Sequence, residues 1–397
     1  MSGIWKMLCL VVIGLCFASA MADEAQDITA KATFSATADK NHVNRVFKGD
    51  YSTYWNGTGG ELKCTFKSGD AISGISVSFF RETAPLIIET EDESGNRVQI
   101  ARYEGDFLNT FIPFEAQGVF YLRAESDSDA LCISKLTVWG EGDVPRSAQR
   151  WEYLQGDADL MLIVTHPDDD LVWFGGLLPT YAGDRGYKTM VVYMAGEPSA
   201  QRKNELLDGL WTCGVTYYPV IGPFGDYAAP NVQSALSAWG GEEAVNSFLT
   251  EQIRKYRPLV LVTQDIRGEY GHKQHIAMVQ QVIVCAESLA ADETQYPESA
   301  EEYGTWQVQK LYLHRLRENE IKLDWTLPLD AFGGQTGEQI ARKAFKMHLS
   351  QQKTDYNVYM TGTFDSQRMG LKFSAVGADE LKNDIFEHVP ARDQAQD

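Results

Sequence analysis

The sequence predicts a multidomain protein with an N-terminal all-β sandwich and a C-terminal α/β domain that contains a mainly parallel sheet. The chain has 397 residues, 44% of them hydrophobic, which is enough to bury more than one core. Short segments rich in β-branched and aromatic residues, separated by turn residues, fill residues 28–140. From about Trp151 onward, apolar strand-like runs alternate with amphipathic helical segments.

The first 22 residues have the composition of a secretory signal peptide. Lys6 precedes an apolar run from Met7 to Phe17, and the small residues Ala18 and Ala20 follow it. This run is too short to span a bilayer, and small residues are typical of a signal cleavage site. We therefore expect an exported protein, secreted or periplasmic, and we expect no transmembrane anchor because no later segment is apolar enough.

Removal of the signal peptide would leave four cysteines, Cys64, Cys132, Cys213 and Cys285. Cys64 and Cys132 lie in strand-like segments of the first half, so they could form a disulfide in an oxidising compartment, and the sequence leaves this open. We expect Cys213 and Cys285 to be buried free thiols. The absence of CxxC spacing among the four argues against a zinc knuckle.

The formal net charge of −20 argues against nucleic acid as a partner, because no block of Lys and Arg compensates it. A neutral or cationic glycan, or a small polar molecule, is a more compatible ligand. The sequence carries no signal for the oligomeric state.

The first domain is predicted at residues 27–145 and the second at residues 150–397, joined by the linker-like "GEGDVPRSAQR". In the second, the strand "LMLIV" is followed by "THPDDD", and the strand "LVLVT" is followed by "QDIRGEYGHKQH". Strands that alternate with helices predict a Rossmann-like parallel sheet covered on both faces. Ligands bind such sheets beyond the carboxyl ends of the strands, so both polar motifs should lie at one edge.

The residue types in these two motifs suit a catalytic zinc site. Two histidines and one carboxylate with an open coordination position are a catalytic arrangement, whereas structural zinc sites are closed by four ligands. A zinc-bound water has a pKa of roughly 7, and an unligated carboxylate can take its proton. The alternative is that the three aspartates form a solvated turn and helix N-terminus, and that the HxxH spacing of His272 and His275 is a coincidence.

The two motifs resemble those of the PIG-L family of zinc-dependent N-acetyl-sugar deacetylases. "THPDDD" is similar to the family's "AHPDDE", and "GEYGHKQH" is similar to its "YGHPDH". The helix-like "QRKNELLDGLWTCGV" resembles the family's "RxxE" helix. The resemblance extends from about residue 158 to the C-terminus.

The resemblance implies a role for several residues. It implies that His166, Asp169 and His275 ligate Zn²⁺, although another divalent metal such as Fe²⁺ could take its place. It further implies that Asp168 is the general base and that Arg202 hydrogen-bonds sugar hydroxyls. By the same resemblance, His272 and Tyr270 stabilise the oxyanion of the tetrahedral intermediate, and Tyr270 can also donate a proton to the leaving amine.

Asp226 is a weaker candidate for substrate binding, and it could equally be a turn residue. The chain departs from the family pattern where Asp170 replaces a Glu and where Lys273 and Gln274 replace Pro and Asp. These changes put the shape of the pocket in doubt and leave the proposed ligands and base in place.

Four other histidines, His42, His314, His348 and His388, receive no role, although His348 could line the rim of the pocket. The N-terminal half is similar to the discoidin or factor 5/8 type C module, a galactose-binding-like jelly roll. Tyr54 and Trp55 could form a glycan-binding platform in such a module, or could belong to its core.

The expected function is therefore that of an exported zinc hydrolase that removes the N-acetyl group from N-acetylglucosamine-type sugars by attack of a zinc-bound water. One alternative is a zinc amidase that acts on a larger sugar-amide conjugate. Another is a glycan-binding protein without catalytic activity.

Overall fold

The computed structural model describes residues 23–67, 69–195 and 199–392. The predicted signal peptide, residues 1–22, lies outside the described residues. Among the helices of the described part, none is long and apolar enough to cross a membrane.

The N-terminal region consists of two antiparallel sheets. One has five strands in the order β1-β3-β8-β5-β6, and the other has four in the order β2-β9-β4-β7. The strands are β1 (Ala32–Ala36), β2 (Trp55–Asn56), β3 (Glu61–Phe66), β4 (Ala71–Phe79), β5 (Leu86–Glu91), β6 (Arg97–Tyr103), β7 (Asn109–Gln117), β8 (Val119–Ala124) and β9 (Cys132–Gly140). The prediction of an antiparallel β region in the first half is confirmed.

Side-chain alternation builds the core of this region. Along β3, Leu62, Cys64 and Phe66 are buried while the residues between them are partly exposed, as expected for a strand with one face toward a core. Trp55 is fully buried, and its indole Nε1 donates to the backbone oxygen of Ala38 at 3.1 Å. Trp55 is therefore a core residue, and the suggestion that it forms a ligand platform is wrong.

The four cysteines in the described residues are free and buried. Cys64 lies on β3 of the five-stranded sheet and Cys132 on β9 of the four-stranded sheet, and no disulfide joins them. The possible Cys64–Cys132 bridge is therefore not formed. The prediction that Cys213 and Cys285 are buried free thiols is confirmed.

The C-terminal region is an α/β domain around a seven-stranded sheet in the order β12-β11-β10-β13-β14-β18-β15. The strands of the region, including the separate β16–β17 hairpin, are β10 (Leu160–Val164), β11 (Thr189–Tyr193), β12 (Val220–Ile221), β13 (Val260–Thr263), β14 (Lys310–His314), β15 (Glu320–Lys322), β16 (Pro328–Leu329), β17 (Gln335–Thr336) and β18 (Arg368–Ser374). The helices are α1 (Asp169–Val172), α2 (Ala200–Thr212), α3 (Val232–Ala238), α4 (Glu242–Tyr256), α5 (Lys273–Glu287), α6 (Pro297–Tyr303) and α7 (Gly337–Phe345).

The first five strands of that order pair in parallel, β18 pairs antiparallel with β14, and the edge strand β15 pairs antiparallel with β18. All five residues of β10 are buried, as is typical of a parallel strand covered on both faces. Leu160 and Leu162 pack into one hydrophobic cluster, and Met161 and Ile163 pack into another on the opposite face. The prediction of a mostly parallel sheet is confirmed, and the single antiparallel strand β18 and the edge strand β15 beside it were not predicted.

The segment after β10 differs from the expected regular helix. Helix α1 ends at Val172, and a π-helical turn follows at Pro179–Asp184. Gly175 has a φ of +51°, and a Cβ at Gly176 would lie 2.8 Å from atoms of Trp325. The positive φ of Gly175 is incompatible with a continuous helix, and the close approach of Trp325 leaves no room for a side chain at Gly176.

Candidate metal centre and active site

The two predicted motifs meet at the carboxyl edge of the parallel sheet. Strands β10 and β13 pair directly, with Leu162 opposite Val262. His166 and Asp169 follow the end of β10, and His275 lies in the first turn of α5, after the loop that follows β13. Adjacent parallel strands therefore bring side chains that are 109 positions apart in the chain into contact, as in the His166–His275 pair.

Three of the predicted residues form a tight cluster. His166 Nδ1 lies 3.0 Å from His275 Nε2, and Asp169 Oδ2 lies 3.3 Å from each of these two nitrogens. In a tetrahedral zinc site with bonds of about 2.0–2.1 Å, neighbouring ligand atoms are roughly 3.3 Å apart. The nitrogen and carboxylate donors, their spacing and their burial fit a divalent cation such as zinc.

His272 belongs to the same group. Ligand atoms of His166, His272 and His275 all lie within 4.8 Å of one another. The Nδ1 atom of His272 is buried and has no hydrogen-bond partner among the described residues. His272 therefore has an unused nitrogen within reach of the cluster.

The charges in the cluster are strongly coupled. Burial disfavours the charged form of His166, but hydrogen bonds and charge interactions with Asp169 and Asp226 outweigh it and raise the pKa of His166 to about 10. Burial also disfavours charge on Asp169, while His275 and His166 hold the pKa of its carboxyl below the ordinary value. The centre thus retains a proton that a bound cation would displace, because metal ligands must be deprotonated.

Amide and indole groups surround the cluster. The Gln274 Oε1 atom lies 3.0 Å from His166 Nε2, and the Trp173 indole donates to Asp169 Oδ1 at 2.6 Å. Because an amide oxygen only accepts, His166 carries a proton on Nε2, and loss of its second proton to a bound cation would leave the Nδ1 lone pair directed into the cluster. Such contacts fix the orientation of metal-binding side chains.

Gln264 controls the tautomer of His275. Its Oε1 accepts from the backbone N–H and the hydroxyl of Thr165, at 2.9 and 2.8 Å, so that its amide nitrogen faces His275 Nδ1 at 3.0 Å. The ring proton of His275 therefore lies on Nε2, inside the cluster. A cation bound at Nε2 requires this proton to move to Nδ1 and the Gln264 amide to turn.

Arg202 links the base candidate to the rest of the pocket. Ser199 caps the N-terminus of α2 and so positions Arg202 at its first turn. The Arg202 guanidinium donates to Asp168 Oδ1 at 3.1 Å, to Asp226 Oδ2 at 3.2 Å and to the backbone oxygen of Pro167 at 2.6 Å. One planar group thereby orients two carboxylates.

Asp168 occupies a strained backbone position with a φ of 120°. Burial and the neighbouring charge of Asp169 raise the pKa of Asp168 well above its ordinary value, while Arg202 acts in the opposite direction. The positive charge of a cation in the adjacent cluster would favour the ionised form of this carboxyl.

The site residues enclose one small pocket of about 200 Å³. Seven of the eight predicted residues line it, namely His166, Asp168, Asp169, Arg202, Asp226, Tyr270 and His272. Val172, Trp173, Gln351 and Tyr356 complete the lining and were not predicted. The lining combines the polar side chains of Arg202 and Asp226 with the aromatic side chains of Trp173, Tyr270 and Tyr356.

Asp170 and two of the other histidines lie outside the pocket. The Asp170 carboxyl is buried away from it beside Tyr193, and burial raises the pKa of Asp170 to about 7. His314 is buried, and its Nδ1 lies 2.8 Å from Glu269 Oε2, so it supports the loop that carries Tyr270. His348 is buried in the turn that follows α7 and does not line the pocket, which agrees with a packing role.

Comparison with known proteins places this site in a family. Residues 161–286 match the family model described as "PIG-L: GlcNAc-PI de-N-acetylase". This part of the chain is a PIG-L family domain. The matched range contains all eight predicted site residues.

Curated relatives of the PIG-L domain are named as deacetylases. A 1D-myo-inositol 2-acetamido-2-deoxy-alpha-D-glucopyranoside deacetylase 1 from Catenulispora acidiphila is 29% identical over 41% of this chain and 57% of its own length. A protein of the same activity name from Salinispora arenicola is 26% identical over 56% of this chain and 86% of its own length. The chain spans 57%, 62% and 55% of the length of the first three curated relatives.

Among solved structures, an N,N'-diacetylchitobiose deacetylase from Pyrococcus horikoshii aligns with a TM-score of 0.38 and 19% identity. The alignment covers 50% of this chain and 73% of that chain.

Proposed function

We propose that the chain is an exported, zinc-dependent hydrolase that removes the acetyl group from N-acetylglucosamine-type sugars or glycoconjugates. The observation that carries the proposal is the cluster of His166 Nδ1, His275 Nε2 and Asp169 Oδ2, with distances of 3.0–3.3 Å, beside the carboxyl of Asp168. The names of the curated relatives support the same reaction class.

His166, Asp169 and His275 would hold the cation, which when bound supplies Lewis-acid polarisation and acidifies water. Asp168 accepts a proton from the water whose oxygen attacks the acetamide carbonyl carbon. Its position is set by the Arg202 contact of 3.1 Å. A carboxylate placed within reach of the reacting water is the usual general base of such hydrolases.

His272 and Tyr270 serve the charge that develops on the carbonyl oxygen. Both line the pocket, and their ring centroids are 5.8 Å apart. Burial lowers the pKa of His272, so the neutral imidazole donates a hydrogen bond to the oxyanion. The carbon–nitrogen bond then breaks, the amine nitrogen takes a proton from the Tyr270 hydroxyl or from Asp168, and the products are acetate and a free amino sugar.

The lining of the pocket suits one sugar ring. Arg202 and Asp226 offer a donor and an acceptor to hydroxyl groups, whereas the rings of Tyr270 and Tyr356 offer aromatic surface to the apolar side of a pyranose. A volume of about 200 Å³ is below the range of roughly 300–1,000 Å³ typical of larger ligands. A single terminal N-acetylated unit is therefore the preferred substrate.

The N-terminal sheets have a separate role in this proposal. We infer that they form a discoidin-like jelly roll that keeps the enzyme near glycan, and that the C-terminal domain is Rossmann-like. The two antiparallel sheets and the parallel sheet support these assignments. Affinity chromatography on immobilised chitin and galactan would test whether these sheets bind glycan. Equal elution of the chain from columns with and without these glycans would contradict this role.

The deciding experiment measures acetate release from N-acetylated chito-oligosaccharides, with and without a chelator. We expect activity in the metal-loaded wild type, loss with the chelator and a decrease of at least about 100-fold in Asp168→Asn. Equal activity of wild type and Asp168→Asn would contradict the proposed site. Glycan retention without acetate release would favour the non-catalytic binding protein.

A further inference from the structure

The side chain of Tyr270 is only partly packed, although the loop that carries it is anchored by Glu269. Tyr270 lies between β13 and α5, next to Gly271 with a φ of +95° and two residues after Gly268 with a φ of +72°. Its side chain is 49% exposed, although it lines the pocket. Because about half of the side chain is exposed, packing alone does not fix the direction of its hydroxyl group.

The hydroxyl of Tyr356 is the hydrogen-bond partner that can fix it. The two hydroxyl oxygens are 2.8 Å apart, and the ring centroids are 6.0 Å apart with an angle of 36°. Tyr356 also lines the pocket. It lies outside residues 161–286, the range that matches the PIG-L family model.

The segment that carries Tyr356 is well anchored. Val358 is buried, and Asn357 Oδ1 accepts from the Arg342 guanidinium of α7 at 2.8 Å. Tyr359 stacks on Trp173 at 5.6 Å with an angle of 11°. Tyr356 itself meets the Trp173 ring edge-on at 6.1 Å, so its hydroxyl is presented from a fixed surface.

We propose that Tyr356 is a positioning residue that orients the Tyr270 hydroxyl for the reaction. A tyrosine hydroxyl has one proton to donate and also accepts. When Tyr356 donates to the Tyr270 oxygen, the Tyr270 proton is free to face the substrate. The same hydrogen bond stabilises the negative charge that grows on the Tyr270 oxygen as its proton moves to the leaving amine. This inference rests on the proposed deacetylase function.

Tyr356→Phe tests the inference because it keeps the ring and removes the hydroxyl. The matched control is Tyr359→Phe. The hydroxyl of Tyr359 lies 3.4 Å from the backbone oxygen of Asp355, and its ring stacks on Trp173. We expect Tyr356→Phe to lower kcat by about 3- to 10-fold, the kinetic equivalent of one hydrogen bond, with KM and bound zinc unchanged. Tyr359→Phe should leave kcat unchanged.

The effect must pass through Tyr270. In a Tyr270→Phe background, Tyr356→Phe should therefore cause no further decrease in kcat. An equal decrease in both backgrounds would overturn the inference, because Tyr356 would then act independently of Tyr270.

A second readout does not depend on catalysis. In protein labelled with 3-fluorotyrosine, the signal of residue 270 is identified by its loss in Tyr270→Phe. We expect this signal to shift in Tyr356→Phe and to stay in place in Tyr359→Phe. An unshifted signal would overturn the inference. Absence of acetate release from the wild type would instead overturn the proposed function, while the fluorine signal would still report the pairing of the two tyrosines.

Discussion

The Tyr51 hydroxyl donates a hydrogen bond of 2.5 Å to the Asp208 carboxylate, across the boundary between the N-terminal sheets and helix α2. Asn109 and Gln149 donate to the other oxygen of the same carboxylate, at 3.4 and 2.5 Å. Asp208 and Arg202 both lie on α2, so this one helix contacts the N-terminal region and also lines the pocket.

Tyr51→Phe should destabilise the protein because it removes a donor to a carboxylate that burial keeps from water. Hydrogen bonds to charged groups contribute about 1.5–3 kcal/mol to stability. We expect the free energy of unfolding, measured by urea denaturation, to decrease by an amount within this range. The control is Tyr153→Phe, since the Tyr153 side chain is 53% exposed and its hydroxyl donates to Asp106 O at 3.0 Å. An equal decrease in unfolding free energy in both variants would show that the Tyr51–Asp208 hydrogen bond stabilises the protein no more than an exposed tyrosine contact does.

His348 should make stability depend on pH. Burial lowers the pKa of His348 to about 3, and neither ring nitrogen has a hydrogen-bond partner among the described residues. Because the pKa is lower in the folded state, the unfolded chain binds a proton first as the pH falls. The stability that neutral His348 contributes is therefore complete above about pH 6.5 and is lost as the pH falls toward 3. At pH 5 the loss is about 2 kcal/mol. We expect the variant His348→Leu to have a smaller decrease in unfolding free energy between pH 7 and pH 5, and identical pH profiles would contradict this.

Arg202→Lys should impair catalysis without removing the metal site. A single ammonium group cannot replace the fork that contacts Asp168, Asp226 and Pro167 O together. We expect kcat/KM to fall by about tenfold or more, equivalent to at least ~1.4 kcal/mol. Bound zinc, measured by elemental analysis, should not change. An unchanged kcat/KM would show that the guanidinium contacts are not needed.

Gln264→Glu should strengthen metal binding. A carboxylate accepts from Thr165 N–H and from a proton on His275 Nδ1 at the same time, which the wild-type amide cannot do in its present orientation. Partners of this kind change metal affinity by about 10–100-fold, and we expect zinc to bind about tenfold more tightly. The measurement is competition with a chromophoric chelator at pH 7. Weaker binding by the variant would contradict the inferred tautomer.

Sequence alone places two polar motifs at one edge of the sheet, because the apolar runs "LMLIV" and "LVLVT" precede them and ligands collect at the carboxyl ends of parallel strands. The choice of His166, Asp169 and His275 as ligands depended on the resemblance of these motifs to those of the PIG-L family. Hydrophobic alternation likewise predicts the antiparallel sheets of the first half.

The remaining contacts depend on tertiary packing that no local pattern encodes. Tyr270 and Tyr356 are 86 positions apart, and Tyr51 and Asp208 are 157 positions apart. Tyr356 lies in a loop without periodicity, so its sequence context gives no sign that it reaches the pocket. Gln264 follows β13 as an ordinary polar residue, and its role emerges only from the Thr165 contact.

The buried thiols have a practical consequence for spectroscopy. Burial raises the pKa of Cys64, Cys213 and Cys285, and reaction with maleimide requires an accessible thiolate. In a chain that begins at residue 23, the pair Val98→Cys and Leu381→Cys would therefore label selectively, because these positions are 44% and 76% exposed. A donor and an acceptor dye attached there would report whether the distance between the two halves changes when sugar is added, without prior removal of native cysteines.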